Sequence, residues 1–424
     1  MSENSVIIIG AGASGCMAAR EMLKAGREVL VLEAKGKAGG RIQTSYHRSL
    51  ILESGAEFVH GNLPVTMELL NEFKIGCFHS GGKMVHIEKG KVKRQPDFFE
   101  GWNQMLDEMS KLEVDMTFDH FLSTHFQDEK YAGLRNSAKR FAEGFDVADI
   151  REVSTKALYK EWREEDDDGQ YRIDGGYQKL IDAMADDCRK RGGSFLFNQK
   201  VNHIGWKKNR VEVSTEEGMQ FQGTKIIITV PIGVLRLKPE EGGIRFFPEI
   251  ESIITLTKLI GYGSVIKFLV EFKEPLWERI GSGIGFFFVE ELIPTWWTQA
   301  PRKDLLLTGW VGGPNAKKLE NQSDASLKQC AMDVLKHAFS LEDSSLKKVI
   351  ENIHVFNWGA DPLIRGAYSF PGIHTGRARK ELSKPVDGTL FLAGEGFFEG
   401  DMGGTVEAAL INGRDVALDL LKTF

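Results

Sequence analysis

The apolar positions of this chain fall mostly into short runs and two-residue alternations, with a few helical stretches between them. Val6-Ile7-Ile8-Ile9 is a run of four β-branched residues, which is the pattern of a strand buried on both faces. A helix is predicted from about Ser14 to Lys24, ended by Gly26, and Glu28–Glu33 reads as a second strand. Further along, a helix over Tyr177–Arg191 runs through Gly192-Gly193 into a strand at Ser194–Phe197. Strands follow at Lys200–Ile204, Val211–Val213 and Lys225–Pro231, then at 264–272, 284–289 and 305–311. A helix is expected from about Ser326 to Phe339, a strand at Thr389–Leu392, and a last helix from Gly403-Gly404. In the strand over 264–272, alternation puts Val265, Lys267, Leu269 and Glu271 on one face and Ile266, Phe268, Val270 and Phe272 on the other. There is no tandem repeat and no low-complexity linker.

The first turn carries chemistry. Gly10, Gly12 and Gly15 stand at a G-x-G-x-x-G spacing between a strand and a helix, where the backbone can turn tightly, approach a pyrophosphate and pack helix on sheet. Ala13 and Ser14 open the helix, whose N-terminal amides would face the phosphates. Glu33 lies 23 residues after Gly10 at the end of the second strand, followed by Ala34, where a carboxylate would accept from ribose hydroxyls. A bound dinucleotide follows from the three features together.

The next residues favour FAD over a nicotinamide. Gly39-Gly40-Arg41 is a turn followed by a cation able to close over the pyrophosphate, an element common in flavoproteins of the glutathione-reductase type. Thr389–Glu395 forms a second strand ending in Ala393, Gly394 and Glu395, and Gly404, Thr405 and Val406 then open the last helix. Two distant elements suit the two halves of FAD, and a helix N-terminus beneath the ring would favour its anionic reduced form. Gly281-Ser282-Gly283-Ile284-Gly285 lacks the last glycine spacing and runs into Phe286-Phe287-Phe288, so it is strand and not a second nucleotide loop. With no NADPH site, electrons should come from an organic substrate.

Taken together, these segments resemble the flavin amine oxidase superfamily, which includes monoamine oxidases, polyamine oxidases and lysine-specific histone demethylases. The resemblance runs in order along nearly the whole chain. It includes the first fingerprint, Glu53–Gly61 (with Gly55, Ala56, Glu57 and His60), Asp174-Gly175-Gly176-Tyr177, Ser264–Phe268, Trp358–Pro362, Arg365–Ser369 and the Ala393-Gly394-Glu395 segment. It implies an α/β flavoprotein of two domains. One is a discontinuous Rossmann-like FAD-binding domain of glutathione-reductase type (1–77, 170–255 and 360–424). The other is a mixed-sheet plus helical substrate-binding domain (78–169 and 256–359), its first insertion opening on a hairpin at Gly90. It also implies that the backbone of Val201 meets adenine, that Lys267 holds a water near the flavin and assists reaction with oxygen, and that Tyr368 forms an aromatic wall steering the amine. Trp358, His60 and Glu57 are placed at the cavity.

Two positions depart from the monoamine oxidase pattern. Asp401 stands where those enzymes have a second tyrosine; it could hold a substrate ammonium or cap the last helix. Ala367 replaces the cysteine that joins covalent enzymes to the ring, so the FAD should be non-covalent. The implied reaction takes hydride from the amine α-carbon to flavin N5, with imine hydrolysis and reoxidation by O2 to hydrogen peroxide. Oxidation of an L-amino acid (with Arg365 for its carboxylate), a polyene or a porphyrinogen, or a purely structural flavin, are the competing readings. No Ser/His/Asp or metal constellation appears.

A formal net charge of −6 argues against a nucleic-acid partner, and no apolar run approaches the roughly 18 residues of a membrane helix. Phe424 follows the last expected helix almost at once, so a C-terminal anchor like that of the mitochondrial monoamine oxidases is not expected. Cys16, Cys77, Cys188 and Cys330 show neither disulfide nor metal spacing, which fits a reducing cytoplasm. The 27 phenylalanines against 7 tyrosines suit large apolar interiors and a cavity. The acidic run Glu164–Asp168 reads as a solvated loop. Expected partners are a small-molecule amine and O2, with no membrane anchor, and a homodimer is compatible with the chain.

Overall fold

A computed structural model describes residues 5–61, 63–88, 90–93, 100–163, 169–400 and 402–424. The predicted first strand (Ser5–Ile9) sits third in a five-stranded parallel sheet, ordered Ser194–Leu196, Glu28–Leu32, Ser5–Ile9, Lys225–Ile228 and Leu390–Leu392. Its continuous apolar character is explained by cover on both sides. Val6 and Ile8 pack with the helices Ala13–Lys24, Gln178–Lys190 and Val406–Leu421, while Ile7 and Ile9 pack against Val211, Val213 and Ile244 on the other face. Sequentially remote segments therefore build one layer. A second sheet, Gln220–Gly223, Arg210–Thr215, Val201–Lys207 and Arg245–Phe247, covers that other face.

The larger sheet has seven strands, ordered Ile350–Asn357, Val265–Phe272, Leu306–Gly312, Thr295–Trp297, Ile284–Val289, Lys83–Glu88 and Lys91–Lys93. The Gly90 hairpin belongs to it through the parallel pairing of Lys83–Glu88 with Ile284–Val289. Every residue of Val265–Phe272 is buried. Ile266, Phe268, Val270 and Phe272 face a core under the helix Asp324–Phe339, as the alternation predicts. The opposite face, with Lys267, Leu269 and Glu271, meets Gly55, Glu57, Leu52 and His47 of the segment that follows the second parallel strand. Between Gly101 and Ser154 the chain is helical (Trp102–Ser110, Phe118–His125 and Ala132–Gly144), and a further helix at Thr155–Arg163 completes a small aromatic core around Phe118, Phe121 and Trp162.

The fold is mixed α/β as expected, with small shifts at element ends. The helix predicted over Tyr177–Arg191 spans Gln178–Lys190, and the last helix begins at Val406. No helix among the described residues is long and apolar enough to cross a membrane. The acidic run Glu164–Asp168 lies outside the described residues, as does Asp401.

Candidate active site

A single continuous cavity of about 1740 Å³ runs from the first glycine turn to the seven-stranded sheet. Ordinary ligand pockets occupy roughly 300–1,000 Å³, so this one has room for a dinucleotide and a substrate together. At one end lie Gly10, Gly12, Ala13, Ser14, Glu33, Ala34, Gly40, Arg41 and Val201. At the other lie Gly55, Ala56, Glu57, His60, Lys267, Trp358, Tyr368, Gly394, Glu395, Gly404, Thr405 and Val406.

The turn is shaped for close approach. Gly10 has φ +100, and a Cβ on Gly12 would meet nothing nearer than the Gly39 carbonyl at 3.9 Å, so the cavity side of the loop is bare backbone. Gly12 caps the Ala13–Lys24 helix with no side-chain hydrogen bond, which leaves its first amides facing the cavity. Ser14 Oγ is buried and has no partner among the described residues. Glu33 accepts from the amides of Ala11 (2.7 Å) and Lys35 (2.8 Å), so it braces the turn while facing the cavity. Burial raises its pKa, against the pull of those amide bonds. Orphan donors and a bare backbone fit a diphosphate. Gly15 is the exception among the expected cofactor residues. It lies behind the turn, where a Cβ would come within 2.0 Å of the Gly10 carbonyl, so its role is helix-to-turn packing.

Arg41 links the two ends: it donates to Glu395 (2.7 Å) and to the Ala367 carbonyl, and Glu395 also accepts from Ser369 Oγ (2.6 Å). This network ties the Gly39-Gly40-Arg41 turn to the last strand and fixes the wall where the two halves meet. Gly404 has φ +75 and a Cβ there would press on Tyr368 Cδ2 at 2.9 Å. Thr405 caps the last helix by accepting from the Ala408 amide (3.1 Å).

Lys267 is buried, with a side-chain exposure of 1%. Its Nζ donates to Glu57 Oε2 (2.6 Å) and to the Gly55 carbonyl (3.1 Å), and lies 5.6 Å from the Trp297 ring centroid. Glu57 Oε1 accepts from Arg172 (2.9 Å) and Trp297 Nε1 (3.0 Å). Burial pushes the Glu57 pKa up, but the Lys267 ammonium and Arg172 guanidinium outweigh it and hold the carboxylate below its usual value. An ammonium has three donors, so Lys267 keeps one beyond these two contacts while lining the cavity. Arg172 and Trp297 were not legible as site residues. Arg172 sits two residues before Asp174-Gly175-Gly176-Tyr177, and only its burial in the central strand (Gln170–Ile173) of a small three-stranded sheet would have flagged it.

Tyr368 donates its hydroxyl to the Phe145 carbonyl (2.9 Å), and burial raises its pKa, with Asp146 and Glu161 adding to the effect. Trp358 donates to the Ser54 carbonyl (2.9 Å). His60 opens onto the cavity, and its enclosure holds the imidazole pKa below the ordinary value. Arg365 is exposed and outside the cavity lining, which removes the carboxylate anchor of the amino-acid reading.

The model of the flavin containing amine oxidoreductases matches residues 13–421. The chain belongs to that family. Its FAD is held without a covalent bond, in keeping with alanine at 367. It is 27% identical over 471 residues to polyamine oxidase 4 of Oryza sativa subsp. japonica, covering 99% of this chain and 89% of that protein. It is 25% identical over 427 residues to human lysine-specific histone demethylase 2, covering 92% of this chain and 50% of the relative. The chain thus spans about half the length of the demethylases it matches. The same fold occurs in a putrescine oxidase bound to putrescine (TM-score 0.81, 20% identity, 99% of both chains). It also occurs in cyclohexylamine oxidase from Brevibacterium oxydans (TM-score 0.79, 21% identity, 99% of this chain and 98% of that one).

Proposed function

We propose that this chain oxidises a small amine to an imine, which water converts to a carbonyl product and a free amine or ammonia. The observation that supports it most is the continuity of the cavity from the diphosphate-binding turn to Lys267 and Tyr368. When bound, FAD supplies an acceptor for the hydride of the amine α-carbon and a route for its two electrons to O2, giving hydrogen peroxide.

The protein's own residues bind, orient and exclude water. Gly10, Gly12 and the amides of Ala13 and Ser14 would hold the diphosphate, Glu33 the ribose, and Val201 the adenine face. Gly394, Glu395, Gly404, Thr405 and Val406 would hold the far half. Tyr368, fixed by Phe145, presents an aromatic face to the substrate, and the ring of Trp297 backs Lys267. Lys267 keeps a donor at the cavity wall, positioned by Glu57 to hold a water. Asp146 and Glu161 line the cavity near Tyr368 and favour an amine that carries a second positive group. The four free cysteines support a cytoplasmic setting, and a homodimer, open to sedimentation measurement, completes the proposal.

The test is anaerobic mixing of the flavin-loaded protein with monoamines, diamines, polyamines, N-methyl-lysine peptides and amino acids. The expected result is bleaching of the flavin by an amine and stoichiometric peroxide when air is readmitted. A flavin inert to every amine would overturn the reading in favour of a structural cofactor.

A further inference from the structure

Away from the cavity, three side chains from distant parts of the chain converge on one point. His47 ends the strand Thr44–His47, Glu271 lies on Val265–Phe272, and His354 lies on the neighbouring strand Ile350–Asn357. His47 Nδ1 is 2.8 and 3.0 Å from the two Glu271 oxygens, and His354 Nε2 is 2.6 Å from Glu271 Oε1. The ligating atoms all lie within 4.8 Å of one another, and among the described residues no other trio of this kind is found.

The packing holds these groups in place. Thr44–His47 pairs with Leu50–Glu53 as a hairpin, and Leu50 and Leu52 of that hairpin pack with Leu269 and Leu306 of the sheet. The Glu271 side chain is 3% exposed, whereas those of His47 and His354 are 41% and 27% exposed. A buried carboxylate thus stands beside two imidazoles that are each partly open to solvent. Each short contact brings a nitrogen lone-pair position against a carboxylate oxygen, and it is favourable only with a proton or a metal cation between them.

We propose that His47, Glu271 and His354 bind a single divalent transition-metal ion, and that the two-nitrogen, one-carboxylate set favours zinc. Imidazole with carboxylate suits borderline ions such as zinc, cobalt, nickel and copper and disfavours magnesium and calcium, which take oxygen ligands. Three protein ligands leave a fourth position to water. The ion would bind the neutral imidazoles and displace any proton shared with Glu271. Its place in the fold is structural. It would clamp the hairpin that leads through Glu53 to Gly55, Ala56 and Glu57, and so brace one wall of the cofactor cavity from outside.

The test uses untagged, flavin-loaded protein stripped with a chelator and then freed of it. Titration with zinc chloride should show saturable binding of about one ion per chain and a melting temperature that rises with zinc. Cobalt chloride should give visible ligand-field bands. The surface variants His47→Gln and His354→Gln should keep their flavin absorbance, which reports an intact fold, and weaken zinc binding about tenfold or more. Absence of saturable binding, or equal affinity in both variants and the parent, would overturn the proposal and assign the trio to protons alone.

Discussion

The ammonium of Lys267 and the carboxylate of Glu57 form a buried ion pair at 2.6 Å, and the second oxygen of Glu57 is held by Arg172. A lysine in a fully buried strand needs such a partner, since an isolated charge there would be expelled or neutralised. The pair therefore explains how a cation comes to stand in a strand that is otherwise apolar apart from Glu271.

Lys267→Met removes the cation while keeping the volume. Glu57 retains Arg172 and Trp297, so the loss of stability should stay below the roughly 3–5 kcal/mol of a fully broken buried pair. Flavin should remain bound, and the reduced protein should react more slowly with oxygen. Stopped-flow reoxidation at the parent rate would exclude the role.

Glu53 gives a pH dependence. Burial, opposed by hydrogen bonds from Tyr177 and Thr44, raises its pKa from 4.5 to about 7. The folded state then holds this proton more tightly than the unfolded chain, so this group's contribution favours folding below pH 4.5 and is lost as pH rises through about 7. The span corresponds to roughly 3 kcal/mol at 1.36 kcal/mol per unit. Glu53→Gln, which cannot ionise, should flatten that part of the stability profile. Denaturant unfolding at several pH values for both proteins reads it directly, and an unchanged slope between parent and variant would count against it.

Gly15→Ala should impair flavin loading. The added Cβ meets the Gly10 carbonyl at 2.0 Å, and backbone on both sides limits relief. A cost of about 1–3 kcal/mol or more is expected, together with a displaced turn. Flavin absorbance per mole of protein and thermal melting should both fall. Full occupancy with the parent melting temperature would refute the clash.

Tyr368→Phe loses the hydrogen bond to Phe145 at a cost of about 1 kcal/mol but keeps the aromatic wall. Amine turnover should persist in it and collapse in Tyr368→Ala, which removes the ring. Equal rates in both variants would mean that the ring does not steer the substrate.

Acid precipitation should release the flavin entirely to the supernatant, because Ala367 offers no sulfur for a thioether bond. Flavin fluorescence in the washed pellet would show otherwise.

The parts of the fold legible from sequence were those where local and tertiary preferences agree. The β-branched run before Gly10 forms a doubly covered strand, and the alternation around Lys267 matches the two faces of the sheet. What stayed hidden depends on long-range pairing. Arg172 lies 115 residues from Glu57, and Trp297 lies 240 from it, so no local period relates them. His47 is 224 residues from Glu271, which is why no ligand spacing announced that trio. Helix ends were off by a residue or two because capping was assigned from residue type, whereas Thr405 took the cap through its position in the turn.

The middle position of Lys225–Ile228, between Ser5–Ile9 and Leu390–Leu392, sets a timetable for biosynthesis. While the last strand and Val406–Leu421 are still inside the ribosome, the emerging chain lacks Gly394, Glu395 and Thr405, and the helix Ala13–Lys24 lacks the neighbour it packs against. Coenzyme capture at both ends of the cavity therefore has to wait until the segment through Val406–Leu421 has been made. Until then the apolar side of Ala13–Lys24 that Val406–Leu421 covers stands open, which is the exposure that invites aggregation in a slow-forming parallel sheet.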